Sequence, residues 1–272
     1  MNFSFKNFYN ELWNYRQFIF SCVKREYISL YHNSFLTLFW TFLTPVATLI
    51  VYITVFSNLM STKLSVISID TSHHSSYAIF LCSGIIFWEL FSNITTKLNY
   101  VFIENSAIVK KIKFPKICLP LYKTIISVIN FLIFISFFLI YVVFTDSFPI
   151  ILFLYLFLIF ILIIIFSFSI GLILSVANVY SRDFGHFFVF FINIWFWITP
   201  IVYPIGVLPQ NILNVFKFNP MFQIIDSVRQ IIIQKQFPNI NSILYIIFIN
   251  LIISLLAYYV YNKYSNEMVD KL

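Results

Sequence analysis

Apolar residues run along this chain in six long blocks, at about 36–59, 77–96, 117–144, 150–177, 187–203 and 241–262. A helix needs roughly 20 residues to cross a bilayer core, and tilt or short caps absorb the longer runs. Polar breaks separate them: STKLSVISIDTSHHSS, a lysine cluster, TDSFP, NVYSRDFGHF and a longer mixed stretch at 204–240. The pattern predicts an all-α integral membrane protein with six transmembrane helices. It divides into an N-terminal segment 1–34, a transmembrane domain 35–262 and a tail 263–272.

Two segments do not read as simple spans. In 11–31, helical spacing puts Leu12, Tyr15, Ile19, Cys22, Val23, Tyr27 and Leu30 on one broad face. Asn14, Gln17, Ser21, Lys24 and Arg25 fall opposite, while Arg16 and Glu26 sit off pattern toward the apolar side. An amphipathic helix lying at the membrane interface fits this pattern; a helix packed on a soluble partner is the other reading. The stretch 204–240 has apolar pieces too short to cross, broken by Pro204, Pro209, Pro220 and Pro238, and carries Lys217, Asp226 and Arg229. It suits re-entrant helices between the fifth and sixth spans, where protein or water satisfies irregular backbone. An outside loop with one amphipathic helix is the alternative. Asp226 and Arg229, three apart, can share a helix face and pair.

Composition strengthens the membrane reading. The 272 residues are 61% hydrophobic and only 10% charged, with mean hydropathy +0.91. A soluble domain carries roughly 25% charged residues, so this chain has too few to cover a water-facing surface. The 36 Phe, with abundant Ile, Asn, Lys and Tyr, suggest an AT-rich genome, which lowers the information in any single Phe. The N-terminal MNFSFKNFYNELWNYRQ shows no apolar core and no small-residue cleavage site, so no signal peptide is expected.

Charge then gives orientation. With the N-terminus inside, inside segments hold Lys6, Arg16, Lys24, Arg25, Lys97, Lys110, Lys111, Lys113, Lys116, Lys123, Arg182, Lys263 and Lys271, and outside segments hold only Lys63, Lys217, Arg229 and Lys235. The positive-inside rule predicts a multi-pass protein of the cytoplasmic membrane with both termini cytoplasmic. VKKIKFPK, at 109–116, lies between the second and third spans and anchors that topology. Nucleic-acid binding is excluded, because the loop is too short to present a basic fold face.

Candidate chemistry is sparse. Glu89 is the acidic residue well within an expected span, and a carboxylate in lipid costs roughly 2–4 kcal/mol, so it should face protein or water. It lines a path or sits at an interface near a helix end. Aromatics crowd Phe87, Trp88 and Phe91, then Trp195, Phe196, Trp197 and Tyr203. They form either an interfacial belt or a pathway lining whose flat rings stack on sugars. Cys22, Cys82 and Cys118 show no pairing logic and read as small hydrophobes; the four histidines show no metal spacing. No phosphate-binding GxxxxGK[ST] loop and no catalytic triad, HExxH or paired-carboxylate arrangement occurs, so no enzyme activity and no cofactor is expected in this chain.

With these segments placed, the chain resembles the membrane subunit of ABC-2-type exporters for cell-surface polysaccharides such as O-antigen, capsule and teichoic acid. The likeness runs in order through SFLTLFWTFLTP (34–45), SGIIFWELFSN (83–93), NSAIVKKIKFPKICLPL (105–121), NVYSRDFGHF (178–187), WFWITPIVYP (195–204) and FNPMFQIIDSVRQII (218–232). Ser34, Leu36, Trp40 and Pro45 agree with the first family motif, Thr37 stands where Gly is usual, and the preceding basic residue and Tyr are only partly kept, as Tyr31-His32.

The resemblance implies a homodimer of six-span permeases in a bacterial inner membrane, with two ABC ATPase subunits beneath it that use ATP and Mg. It implies a lipid-linked polysaccharide as substrate. A short coupling helix docking into the ATPase would comprise Glu104, Asn105, Ser106, Ala107, Ile108 and Val109 with Lys110, Lys111 and Lys113. Tyr180, Arg182 and Asp183 would sit at the cytoplasmic mouth. Trp88, Glu89, Trp195, Trp197, Tyr203, Asn219, Asp226 and Arg229 would line the pathway or gate. The alternatives are an ABC-2 permease for drugs or other lipids, and an ATP-independent flippase, which would need more intramembrane charge or an internal repeat. A membrane transferase would need polar catalytic residues on one surface, whereas Glu89, Asp183 and Asp226 lie in separate segments.

Overall fold

The computed structural model describes residues 13–32, 36–52, 54, 75–111, 114–145, 152–204, 215–265 and 267–272. Expectations resting on Leu12, Ser34, Lys113, the 60–74 segment and residues 205–214 lie outside them. Among the described residues all regular structure is helical. The helices are α1 (Arg16–His32), α2 (Leu36–Val51), α3 (Ser75–Glu104), α4 (Ser106–Lys111), α5 (Cys118–Thr145), α6 (Phe153–Tyr180), α7 (Asp183–Ile198), α8 (Pro220–Ile232), α9 (Ile240–Tyr264) and α10 (Met268–Lys271).

By length and composition α3, α5, α6 and α9 can each cross a membrane. Helices α2 and α7 are apolar but have 16 residues each, about 24 Å at 1.5 Å per residue.

α3 is the hub of the bundle, packed against α5, α6, α7 and α8. Phe87 and Phe91 of α3 are fully buried, with ring centroids 5.3 Å from Phe131 of α5 and 5.6 Å from Phe166 of α6. Phe131 in turn stacks on Phe160 at 5.1 Å. The α3–α6 crossing is close because Gly171 has no side chain: a Cβ there would lie 2.7 Å from Leu98 Cβ. Small residues of this kind let membrane helices approach. The outer faces stay apolar and exposed, as at Leu154, Phe157 and Ile161 on α6 and Leu244, Phe248, Leu251 and Leu255 on α9. Such broad exposed patches suit lipid, not water.

The second and fifth spans differ from the hydropathy pattern by four or more residues at a boundary. The second apolar block ends before Lys97, yet α3 continues to Glu104. Thr95, Leu98, Asn99, Val101 and Phe102 are buried there by protein, so the helix no longer depends on apolar composition alone. The fifth element starts four residues earlier than expected and ends at Ile198. Asp183 in its first turn favours the helix N-terminus, and Thr199, which precedes Pro200, is extended, as residues before proline are. Residues 199–203 are therefore turn, not span.

In and just before α1, Tyr15, Ile19, Cys22, Val23 and Tyr27 are buried or half-buried, and Asn14, Gln17, Ser21, Lys24 and Arg25 are exposed. The apolar face packs on this chain's own α5, where Tyr27 donates its hydroxyl to Asn130 Oδ1 at 3.1 Å.

Candidate functional site

At one end of the bundle α3 gives way to α4 through a single turn residue, Asn105. Glu104, expected in the short helix, is the last residue of α3; Ser106, Ala107, Ile108, Val109, Lys110 and Lys111 form α4. Lys110 and Lys111 sit in its last turn, where the helix dipole favours cations. Val109 is buried while Ala107, Lys110 and Lys111 face outward. The elbow is tied down by side chains: Asn105 Nδ2 donates to Val101 O at 2.8 Å, and Tyr122 Oη lies 3.4 Å from Asn105 Oδ1.

Lys123, counted in the sequence only as a topology charge, pairs with two carboxylates. Its Nζ is 3.1 Å from Glu26 Oε1 and 3.5 Å from Glu104 Oε2. This explains why Glu26 stands on the otherwise apolar face of α1.

The tail is part of the same assembly. Met268 of α10 is fully buried in one cluster with Val109, Val101, Phe102 and Val176. Lys116 Nζ donates to the Ser265 carbonyl. Tyr180, at the end of α6, donates its hydroxyl to Glu267 Oε2 at 3.0 Å and meets Tyr264 edge-on. Arg182 and Asp183 are exposed beside it. Their turn is held from below: Asn178 Nδ2 donates to Asn99 O at 2.9 Å, Asn99 Nδ2 donates to Gly185 O at 3.1 Å, and a Cβ on Gly185 would strike Asn178 at 2.7 Å.

At the opposite end of α3 a second constellation joins α3, α7 and α8. Asn219 caps α8, accepting from Met221 N at 3.1 Å, with Pro220 at the first helical position. The same Oδ1 accepts the Trp195 indole N–H at 3.1 Å, and Nδ2 donates to Thr199 Oγ1 at 2.9 Å. Trp195 stands edge-on to Trp88 and Phe91, at 6.0 and 5.2 Å.

Arg229 is buried, and it does not make a contact ion pair with Asp226, contrary to the sequence expectation. Its guanidinium donates to Pro200 O at 2.8 Å, Ile201 O at 2.6 Å and Phe80 O at 3.4 Å, over the Phe80 ring at 3.5 Å. Asp226 instead accepts from Gln230 Nε2 at 2.8 Å. The reason is geometric: Arg229 faces inward, where carbonyls just past the end of α7 offer acceptors at a negative dipole end. Gly84 leaves the room, since a Cβ there would lie 2.9 Å from Arg229 Nη2. Trp197 and Tyr203 stand apart: Trp197 is exposed, and Tyr203 donates to the carbonyls of Trp197 and Ile198.

Between these ends lies an open groove of about 380 Å³ formed by α2, α3, α5 and α7. Glu89, Asn93, Ser92, Thr44, Thr48 and Asn193 supply polar groups, and Trp88, Phe196, Tyr52 and Phe134 supply rings. The Glu89 side chain is exposed into this space and within hydrogen-bonding reach of Asn93, one turn on. Rings beside amides and a carboxylate can stack on and hydrogen-bond to a polyhydroxylated molecule.

Sequence reasoning missed Lys123, Asn99, Asn178, Gly171 and the docked tail. Lys123 alone left a signal, a lysine one turn inside an apolar span, which demands a partner.

The sequence profile of the family described as "ABC-2 type transporter" matches residues 17–233. The chain is 23% identical over 264 residues to a Myxococcus xanthus protein named O-antigen export system permease protein RfbA, covering 96% of this chain and 98% of the relative. Two Klebsiella pneumoniae proteins of the same name are each 25% identical, over 243 and 252 residues, covering 89% of this chain and 90% of each relative.

Proposed function

This chain belongs to the ABC-2 type transporter family, and on that premise we propose that it is the permease of an ATP-driven exporter of lipid-linked O-antigen-type polysaccharide. The observation that carries the reading is the match to O-antigen export permeases along almost the whole of both chains. A permease for drugs or unrelated lipids finds no such support.

In this reading α2, α3, α5, α6, α7 and α9 are the six spans, and α1 lies at the cytoplasmic interface. Lys110, Lys111, Lys116, Arg182, Lys263 and Lys271 all gather at the α4 end, which the positive-inside rule assigns to the cytoplasm. The chain works as a homodimer in the bacterial inner membrane. It carries no catalytic step; ATP and Mg are consumed by a separate ABC ATPase that docks on the exposed face of α4.

α3 supplies the mechanical link. Phe80, which meets Arg229, and Glu104, which meets Lys123, are 24 residues apart on it, about 36 Å at 1.5 Å per residue. A displacement of α4 therefore reaches the α7–α8 junction through one stiff, protein-buried rod. The groove at Glu89 and Trp88 lies between and gives the glycan a surface of rings and polar groups. Segment 204–240, with α8 in it, acts as the outer gate.

The test is co-purification. The tagged chain, expressed with the ATPase encoded beside it, should form a stable complex that hydrolyses ATP. Recovery of the chain free of ATPase, with hydrolysis unaffected by its presence, removes the exporter reading.

A further inference from the structure

The elbow between α3 and α4 is held from two sides by neighbouring residues of α5. Tyr122 reaches Asn105 Oδ1 at 3.4 Å, and Lys123 reaches Glu104 Oε2 at 3.5 Å. Lys123 also holds Glu26 of α1 at 3.1 Å, and its side chain is only 14% exposed. Lys97, two turns back along α3, lies within electrostatic reach of Glu26, Glu104 and Lys123. Lys123, Glu26 and Glu104, on three helices, thus form one ion-pair cluster, with Glu104, 55% exposed, on its solvent side.

The cost of separation falls on Lys123, whose largely buried charge would lose its partners in a low-dielectric setting, while the exposed Glu104 is screened by solvent. A second contact, Tyr27 to Asn130, fixes the same pair of helices. The apolar face of α1 and Val109 of α4 also share one hydrophobic cluster with Cys118, Leu119 and Tyr122. Helix α1 is therefore linked to the elbow through Lys123 of α5.

We propose that Lys123 is a positioning residue that ties α1 to the α3–α4 elbow, so that α1 moves as one body with α4 during the transport cycle. This rests on the exporter reading and adds to it. The N-terminal helix becomes a second moving part, driven by the ATPase through Lys123, and it carries the displacement to the lipid surface where a lipid-linked substrate enters. Lys123 touches neither ATP nor substrate; it acts through Glu26 and Glu104.

The experiment uses the full-length chain with its ATPase in proteoliposomes, reading export of a lipid-linked glycan and ATP hydrolysis together. Lys123→Gln and Glu26→Gln should each assemble with the ATPase and hydrolyse ATP, while export per ATP falls about fivefold to tenfold, as for loss of one charge-assisted contact. The double variant should be no worse than Lys123→Gln alone, because that variant already removes the Glu26 contact. Lys123→Arg should restore export. Lys24→Gln, an equal charge loss on the exposed face of α1, should export normally. Unchanged export per ATP in Glu26→Gln overturns the proposal, as does a Lys123→Gln defect that only tracks reduced complex yield. If the unaltered chain hydrolyses ATP without exporting the glycan, the exporter reading itself fails, and this control separates the two.

Discussion

The Trp195 indole donates to Asn219 Oδ1 at 3.1 Å, and this bond joins the end of α7 to the start of α8. The same side chain caps α8 and holds Thr199. Three polar groups thus depend on one amide. Asn219→Ala should destabilise the protein by about 2–4 kcal/mol, combining a lost cap with orphaned donors. Asn219→Asp keeps both acceptor roles and loses only the bond to Thr199, so it should cost less. Thermal unfolding in detergent, followed by tryptophan fluorescence, ranks the two; equal losses contradict this account.

Gly171 sets the distance between α3 and α6. In Gly171→Ala the new methyl would lie 2.7 Å from Leu98 Cβ and 2.9 Å from Leu98 Cδ2. The nearer atom is fixed to the backbone, so the helices must part, at about 1–3 kcal/mol. The same detergent unfolding measures it, and a change within about 0.5 kcal/mol, typical of surface sites, contradicts the packing argument.

The lysine cluster separates anchoring from docking. Replacing Lys110, Lys111 and Lys113 with Gln should reduce ATPase assembly or export while the loop stays on the same side of the membrane. Accessibility labelling and co-purification read the two outcomes independently. An inverted loop with a normal complex would assign these lysines to topology alone.

Glu89 opens into the groove with Asn93 and Trp88. Glu89→Gln should lower export about tenfold, the loss expected for one hydrogen bond to a charged group, with assembly and ATP hydrolysis intact. If assembly fails instead, Glu89 is an interface residue.

Much of the fold was legible because lipid-facing helices announce themselves by composition. The blocks 117–144 and 241–262 became α5 and α9 within two residues at each end. Hydropathy fails where protein replaces lipid as the solvent of a helix. Lys97 and Asn99 look like loop residues in the sequence, yet they lie inside α3 because α5, α6 and α7 surround it.

The site was legible in its short-range parts only. Asn219-Pro220 is a local helix start and could be read as such. The Arg229 carbonyl cradle depends on residues 28 or more positions away, so the three-residue spacing to Asp226 suggested a nearer partner that the fold does not use. Lys123 illustrates the same limit, since its partners lie 97 and 19 residues back along the chain.

ATP-driven export of a lipid-linked glycan, the proposed activity, can be watched in a reconstituted system. Proteoliposomes containing the chain and its ATPase, supplied with labelled lipid-linked O-antigen, should move the label across the bilayer only when ATP and Mg are present. Movement at the same rate without ATP, or ATP-driven movement of other lipids with the glycan left behind, would contradict it.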